Sequence, residues 1–354
     1  MTKILLSIGL FLSVYTGYSQ GCIAVRHMAC TSGRINNGTS TMVADQWQFT
    51  AGYRYLHSYK HFVGKEEQKQ RVAEGTDVRN WSNSFDIGLT YAVNERLNIA
   101  LNVPYNENKR SSMYEHYGNA IETNPERKRH FTYSKGVGDI RLSSSYWILD
   151  PKTHLKGNFS LGLGIKAPTG DANVQGDFFK LDKNKKEYVV RKSVDQSIQL
   201  GDSGWGGSIE IQGYQSAFKN ATFYYNGFYL FSPKGVNDLT NLSVPDQFAA
   251  RIGLNYNVIP KKGIAMSIGG RLEGLPALDV IGKSEGSRRP GYIVSVEPGI
   301  IWMNHVHTFA INVPVALIRN RTKSWSDRQD PAGLKHGDAA FADFFVSATY
   351  SYRF

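Results

Sequence analysis

The chain closes on Phe344-Phe345-Val346-Ser347-Ala348-Thr349-Tyr350-Ser351-Tyr352-Arg353-Phe354. In steps of two, one face carries Phe344, Val346, Ala348, Tyr350, Tyr352 and Phe354, and the other Phe345, Ser347, Thr349, Ser351 and Arg353. A period of two is that of a β-strand with unlike faces. In a soluble protein such an aromatic-tipped strand would be an adhesive edge. In a membrane barrel it closes against the first strand and turns its apolar face to lipid. A final Phe354 also resembles the C-terminal signal of bacterial outer-membrane barrels.

The other end agrees. Lys3 precedes the apolar run Ile4 to Val14, and Gly17-Tyr18-Ser19 supplies small residues at a cleavage site. The run is too short to span a bilayer, so residues 1–19 read as a signal peptide with Gln20 as the mature N-terminus. Residues 20–45 are expected to form a periplasmic segment, and 46–354 the barrel. The segment holds both cysteines, Cys22 and Cys30. An oxidising compartment makes a disulfide the default. Lipidated or unpaired thiols, or a soft-metal cluster with His27 and Met28, remain open. No cofactor is expected.

Beyond the signal there is no apolar run of about 18 residues or more, which excludes a helical membrane protein. A mean hydropathy of −0.36 is compatible with a barrel, because each lipid-facing residue is averaged with an interior neighbour. The formal net charge is +11, and the signal peptide carries one lysine, leaving +10. Such a balance can mark nucleic-acid binders, but export argues against that partner. The charges fall mostly in inter-strand segments, which suits a basic outer rim facing lipopolysaccharide or anionic solutes.

Alternation predicts about twelve strands of near ten residues. They run near residues 46–59, 83–93, 97–105, 138–149, 158–167, 205–218, 221–231, 247–258, 264–274, 292–303, 308–318 and 344–354. Long connections (60–82, 106–136, 168–204, 232–246, 275–291, 319–340) alternate with short ones (94–96, 150–157, 218–220, 259–263, 304–307). Long outer loops alternating with short periplasmic turns mark an up-and-down outer-membrane barrel. A soluble β-sandwich would share the strand pattern but not this loop asymmetry.

Two segments carry a family resemblance. Gly136-Val137-Gly138-Asp139-Ile140-Arg141-Leu142, followed by Tyr146-Trp147, opens one strand. Leu161-Gly162-Leu163-Gly164-Ile165-Lys166-Ala167-Pro168-Thr169-Gly170-Asp171 ends the next. Together they resemble the outer-membrane barrels of the meta-pathway phenol-degradation family, often called transporters. The resemblance implies a barrel with a transport-like role and leaves the cargo unspecified. On the residues themselves, Gly136 and Gly138 permit unusual backbone where loop becomes strand. Pro168-Thr169-Gly170-Asp171 is a turn signal, with Asp171 or Lys166 as a gate or cargo contact the functional alternative.

The predicted lumen set is Arg54, Asp86, Asp139, Arg141, Lys166, Glu210, Arg251, Arg271, Glu273, Glu297 and Arg353, with Tyr214 and Tyr224 as aromatic lining. Phe228, Leu230, Ile293 and Met303 add apolar interior surface. Mixed signs on neighbouring strands suggest an ion-paired ladder, with Arg353 closing the set beside Arg54. Such a ladder is either structural filling or a pore that orients a permeant molecule. About twelve strands lie between the filled eight-stranded and open sixteen-stranded cases, which favours a narrow channel.

The expected function is an outer-membrane channel for passive passage of a small aromatic or hydrophobic solute. The alternative is a structural or adhesive barrel acting through its loops. A lipid hydrolase fits poorly: Ser144 and His57 fall on strands that are not neighbours, and there is no G-x-S-x-G elbow.

Overall fold

The computed structural model describes residues 41–354, so the signal peptide, Cys22 and Cys30 lie outside the described residues. Twelve antiparallel strands follow one another around a closed wall: β1 Trp47–Val63, β2 Arg79–Ala92, β3 Leu97–Ser112, β4 in two pieces (His130–Val137 and Arg141–Trp147), β5 Gly157–Lys166 and β6 Gly206–Phe218. They continue with β7 Ala221–Phe231, β8 Gln247–Ile259, β9 Ile264–Leu275, β10 Gly291–Asn304, β11 in two pieces (His307–Asn312 and Val315–Arg321) and β12 Ala339–Arg353. Each pairs with its sequence neighbour, and β12 pairs with β1, Gln48 opposite Arg353 and Arg54 opposite Ser347. Closure leaves no edge.

The alternation sorts residues as the pleat requires. Phe85, Ile87, Leu89, Ile99, Leu101, Leu163, Ile165, Met266 and Ile268 are exposed on the outer wall. Their sequence neighbours Ser84, Lys166 and Ser267 are buried inside, as is Arg251 beside the exposed Ile252. The interior is therefore polar and charged while the outside is apolar, the inverse of a soluble core. Short turns join strands at one end. One is Lys219–Asn220, where Asn220 takes φ +64°; another is the turn at Gly263, φ +66°.

Several strands extend past their predicted ends. β1 runs to Val63, β3 to Ser112, β4 begins at His130 and β12 begins at Ala339. In the prolongation of β3, Asn106, Asn108 and Arg110 alternate with Glu107 and Lys109, so both faces are polar and the apolar period ends while the ladder continues. β4 breaks over residues 138–140, and β11 breaks at Val313-Pro314, where proline offers no N–H to the ladder. The 167–205 connection carries its own hairpin, Gln175–Leu181 paired with Glu187–Ser193.

Candidate functional site

Every predicted lumen residue lies on the barrel interior, Asp86 and Glu210 half-buried and the others buried. They form separate groups. On the β8–β10 wall, the Arg251 guanidinium binds both oxygens of Glu297, its Nε at 3.2 Å. Arg271 donates to Glu273 at 2.8 Å and lies 3.5 Å from Glu297. Arg271 also stands over the Phe345 ring of β12 at 4.9 Å, and Arg54 of β1 lies 5.8 Å from the same ring. Four neighbouring charges thus neutralise one another beside an aromatic face. Buried ions require such pairing, because each alone carries a desolvation cost of several kcal/mol (order of magnitude).

Across the lumen, Arg141 donates to Glu210 at 2.8 Å and to Ser208 at 3.1 Å, and its guanidinium sits 5.0 Å over the Phe228 ring. Asp86 feels the charges of both Arg54 and Arg141. Lys166, fully buried, lies between Asp139 at 3.0 Å and Asp202 at 2.5 Å. The two sequence motifs meet at this lysine. Thr169 Oγ accepts from Ile140 N–H and donates to Gly138 O, both at 2.9 Å, and Gly170 N–H donates to Asp139 at 3.0 Å.

The glycines at that junction admit a returning loop. A Cβ at Gly136 would lie 3.0 Å from Leu200, and one at Gly201 would lie 2.4 Å from Gly170 O. Together the motifs clamp the segment Leu200 to Asp202. Asp171 accepts from Leu200 and Gly201 N–H groups with its backbone oxygen, while its side chain is exposed. Lys166 is held between two carboxylates, and the exposed Asp171 side chain accepts from Asn173 N–H at 2.8 Å.

At the end with the short turns, Trp147 and Tyr214 meet edge-on, 5.9 Å between centroids, and Tyr224 completes a buried aromatic cluster. The Tyr224 hydroxyl crosses two glycines: a Cβ at Gly253 or Gly269 would come within 2.7 Å of it. Arg353 sits apart from these groups. It donates to Gln48 at 2.8 Å and to Thr41 O at 3.2 Å, six residues along the strand from the level of Arg54. The expected neighbourhood of Arg353 and Arg54 is corrected: the final residues pair with the start of β1, while Arg54 stands further up it. Leu230 and Ile293 are buried, and Met303 packs against Ala265, Ile301 and Ala310.

The opposite mouth holds the residues that the sequence reading missed. Arg110 of β3, fully buried, donates to Glu115 at 2.9 Å and Asn80 at 3.0 Å and lies 3.4 Å from Asp195. Arg289, in the loop after β9, binds the other side of Asp195 at 2.9 Å. Arg288 binds Asp279 at 2.7 Å and Ser243 at 2.8 Å. Ser134 of β4 donates to Ile198 O, and Gln196 donates to Ser243 O at 2.9 Å. Residues 194–202 are thus tied to β3, β4, β5 and the loops after β7 and β9, lying across the mouth. Burial raises the Asp195 carboxyl, but the two guanidinium groups and their hydrogen bonds outweigh it and hold it well below the usual carboxylate range. The signal for this cap was the adjacent Arg288-Arg289 pair inside a loop. Only folding reveals that Asp195 is its partner.

No protein-family model matches this chain, and a search of curated proteins finds no sequence relative. Solved structures do resemble it. The COG4313 outer membrane channel from Pseudomonas putida F1 has a TM-score of 0.55 and 12% identity, covering 88% of this chain and 97% of that one. The CymD monoaromatic hydrocarbon channel gives 0.45 and 9%, covering 92% and 93%. The P. putida toluene transporter TodX gives 0.43 and 10%, covering 95% and 98%.

The fold is that of an outer-membrane β-barrel. The phenol-degradation resemblance extends to this architecture, and no family match carries it further. Ser144 and His57 lie on β4 and β1 with β2 and β3 between them, so they form no nucleophile–base pair.

Proposed function

We propose that the protein is a bacterial outer-membrane channel that passes a small aromatic or hydrophobic solute by diffusion. The observation that carries this reading is the interior's division of labour. Its charges are spent on one another, Arg251 and Arg271 with Glu297 and Glu273, Arg141 with Glu210, Lys166 with Asp139 and Asp202. Beside these pairs the interior carries rings, Phe228 half-buried and Phe345, Trp147, Tyr214 and Tyr224 buried, among serine and asparagine side chains. Rings held beside fixed, neutralised charge suit a flat apolar solute better than an ion. The shared fold with an outer-membrane channel is consistent with this reading.

The segment 194–202 across the mouth makes entry conditional on its displacement. The test is uptake of toluene and of a sugar of similar size into liposomes carrying the full-length protein. Toluene is expected to enter faster than in empty liposomes, and Tyr214→Ala with Tyr224→Ala to alter its rate by several-fold. Equal uptake with and without protein, for both solutes, would overturn the channel reading in favour of a structural or adhesive barrel.

A further inference from the structure

The outer wall carries a feature the lumen does not explain. Strands β1 to β4 place His57, Trp81, Lys109 and Tyr133 side by side in direct cross-strand register, all on the outward face. The next outward row toward the short turns is Tyr55, Asn83, Glu107 and Lys135. Below it lie apolar rows such as Phe49, Leu89 and Leu101, ending at Trp47 and Tyr91, whose rings stand 4.7 Å apart. From Trp47 to His57 a tilted strand rises about 25 Å, the height of the apolar band of such barrels. The His57–Tyr133 row therefore lies where the apolar band meets the headgroups on the long-loop side.

Lys109 is the unusual member. Its ammonium lies 4.1 Å from the Phe131 ring centroid and 5.5 Å from that of Trp81, and Trp81 stacks on His57 at 4.9 Å with an 8° interplanar angle. Among the described residues no carboxylate ion-pairs with it, because the nearby Glu107 is taken by Lys135 at 3.0 Å. The ring contacts fix the ammonium without neutralising it. Above this sector stands the hairpin of the 167–205 loop, joined through the His130–Phe179 stack at 4.2 Å and carrying exposed Lys183, Lys185 and Lys186 at its tip.

We infer that Lys109, framed by Trp81, Phe131 and Tyr133, is a binding site for the phosphate of a lipid headgroup of the lipid A class. The inference rests on the outer-membrane reading above. An unneutralised cation at headgroup height attracts an anionic lipid, and the flanking rings suit the boundary between sugar-phosphate and acyl chain.

The test is native mass spectrometry of the full-length protein in detergent, titrated with diphosphorylated lipid A, dephosphorylated lipid A and inorganic phosphate. Diphosphorylated lipid A is expected to be retained in preference to the dephosphorylated form. Lys109→Met should weaken that retention about fivefold, with Lys109→Arg restoring most of it. Lys152→Met, at the short-turn rim where Lys152 pairs with Glu95 at 2.7 Å, should leave it unchanged. Should Lys109→Met fail to fold, Lys109→Gln replaces it.

Equal retention of both lipid A forms, or no loss in the Lys109 variants, overturns the site alone. Competition by inorganic phosphate at similar concentration would assign the site to free phosphate instead and overturn the lipid. A wild-type chain that does not enter lipid vesicles at all overturns the membrane reading and the site with it.

Discussion

Trp47 and Phe354 exchange two backbone hydrogen bonds, Trp47 N–H to Phe354 O and Phe354 N–H to Trp47 O, both 2.9 Å. The first and last residues of the wall thereby complete the ladder that joins β12 to β1. The Phe354 ring adds a stack on Tyr352 at 5.4 Å. Deleting Phe354 removes both bonds at about 0.5–1.5 kcal/mol each, whereas Phe354→Ala keeps them and removes only the ring. The deletion is therefore expected to lower the guanidinium midpoint of the refolded barrel more than Phe354→Ala does. Equal loss would place the contribution in the ring.

The charge group on the β8–β10 wall makes a second prediction. Glu297→Ala removes the buried carboxylate that Arg251 and Arg271 share and is expected to cost about 3–5 kcal/mol. The double variant Arg251→Met with Glu297→Leu removes the closest pair together and is expected to cost less than Glu297→Ala alone. Denaturant titrations followed by tryptophan fluorescence compare them.

Asp195 links Arg110 on β3 to Arg289 in the loop after β9. Asp195→Ala leaves two buried guanidinium groups without that partner, again at about 3–5 kcal/mol. If residues 194–202 limit entry, the displaced fraction should rise by roughly two to three and a half orders of magnitude. Single-channel conductance and toluene uptake should then rise in Asp195→Ala and stay near wild type in Asp171→Ala, whose side chain is exposed.

His116 sets a pH dependence in the outer loops. It is buried between Phe178 and Phe179, 5.3 Å from His130, and accepts the Phe179 N–H at 3.2 Å. Burial first, then the charges of His130, Lys180 and Lys192, lower its pKa to about 3. The folded value lies below that of an unfolded histidine, near 6.5, so the contribution to loop packing is complete above about pH 6.5. It declines as pH falls toward 3. Hydrogen exchange in the 175–193 hairpin, corrected for intrinsic pH effects, should quicken between pH 7 and pH 4. His116→Phe should show a shallower dependence over that window.

The glycines under Tyr224 give a steric prediction. A Cβ at Gly269 would lie 2.7 Å from the Tyr224 hydroxyl and 2.8 Å from Ile252 O. Gly269→Ala therefore forces the ring or the wall to move, at about 1–3 kcal/mol. Gly270, where a Cβ meets only Ile252 at 3.9 Å, should accept alanine with a smaller change in the denaturation midpoint.

The alternation in Phe344 to Phe354, repeated in eleven further segments, determines the wall by itself. Lipid requires every backbone group to pair within a closed sheet, and the pleat sends alternate residues to opposite faces. The interior position of Arg54, Arg251 or Glu297 follows from parity alone. Only the tertiary structure decides which charges meet. Arg141 takes Glu210 from a strand two places away, and Lys166 takes Asp202 from a loop, because partners are chosen by register, shear and loop path. The same reason hid the cap: Asp195 and Arg289 lie 94 residues apart in segments without a period, and no pattern in either names the other.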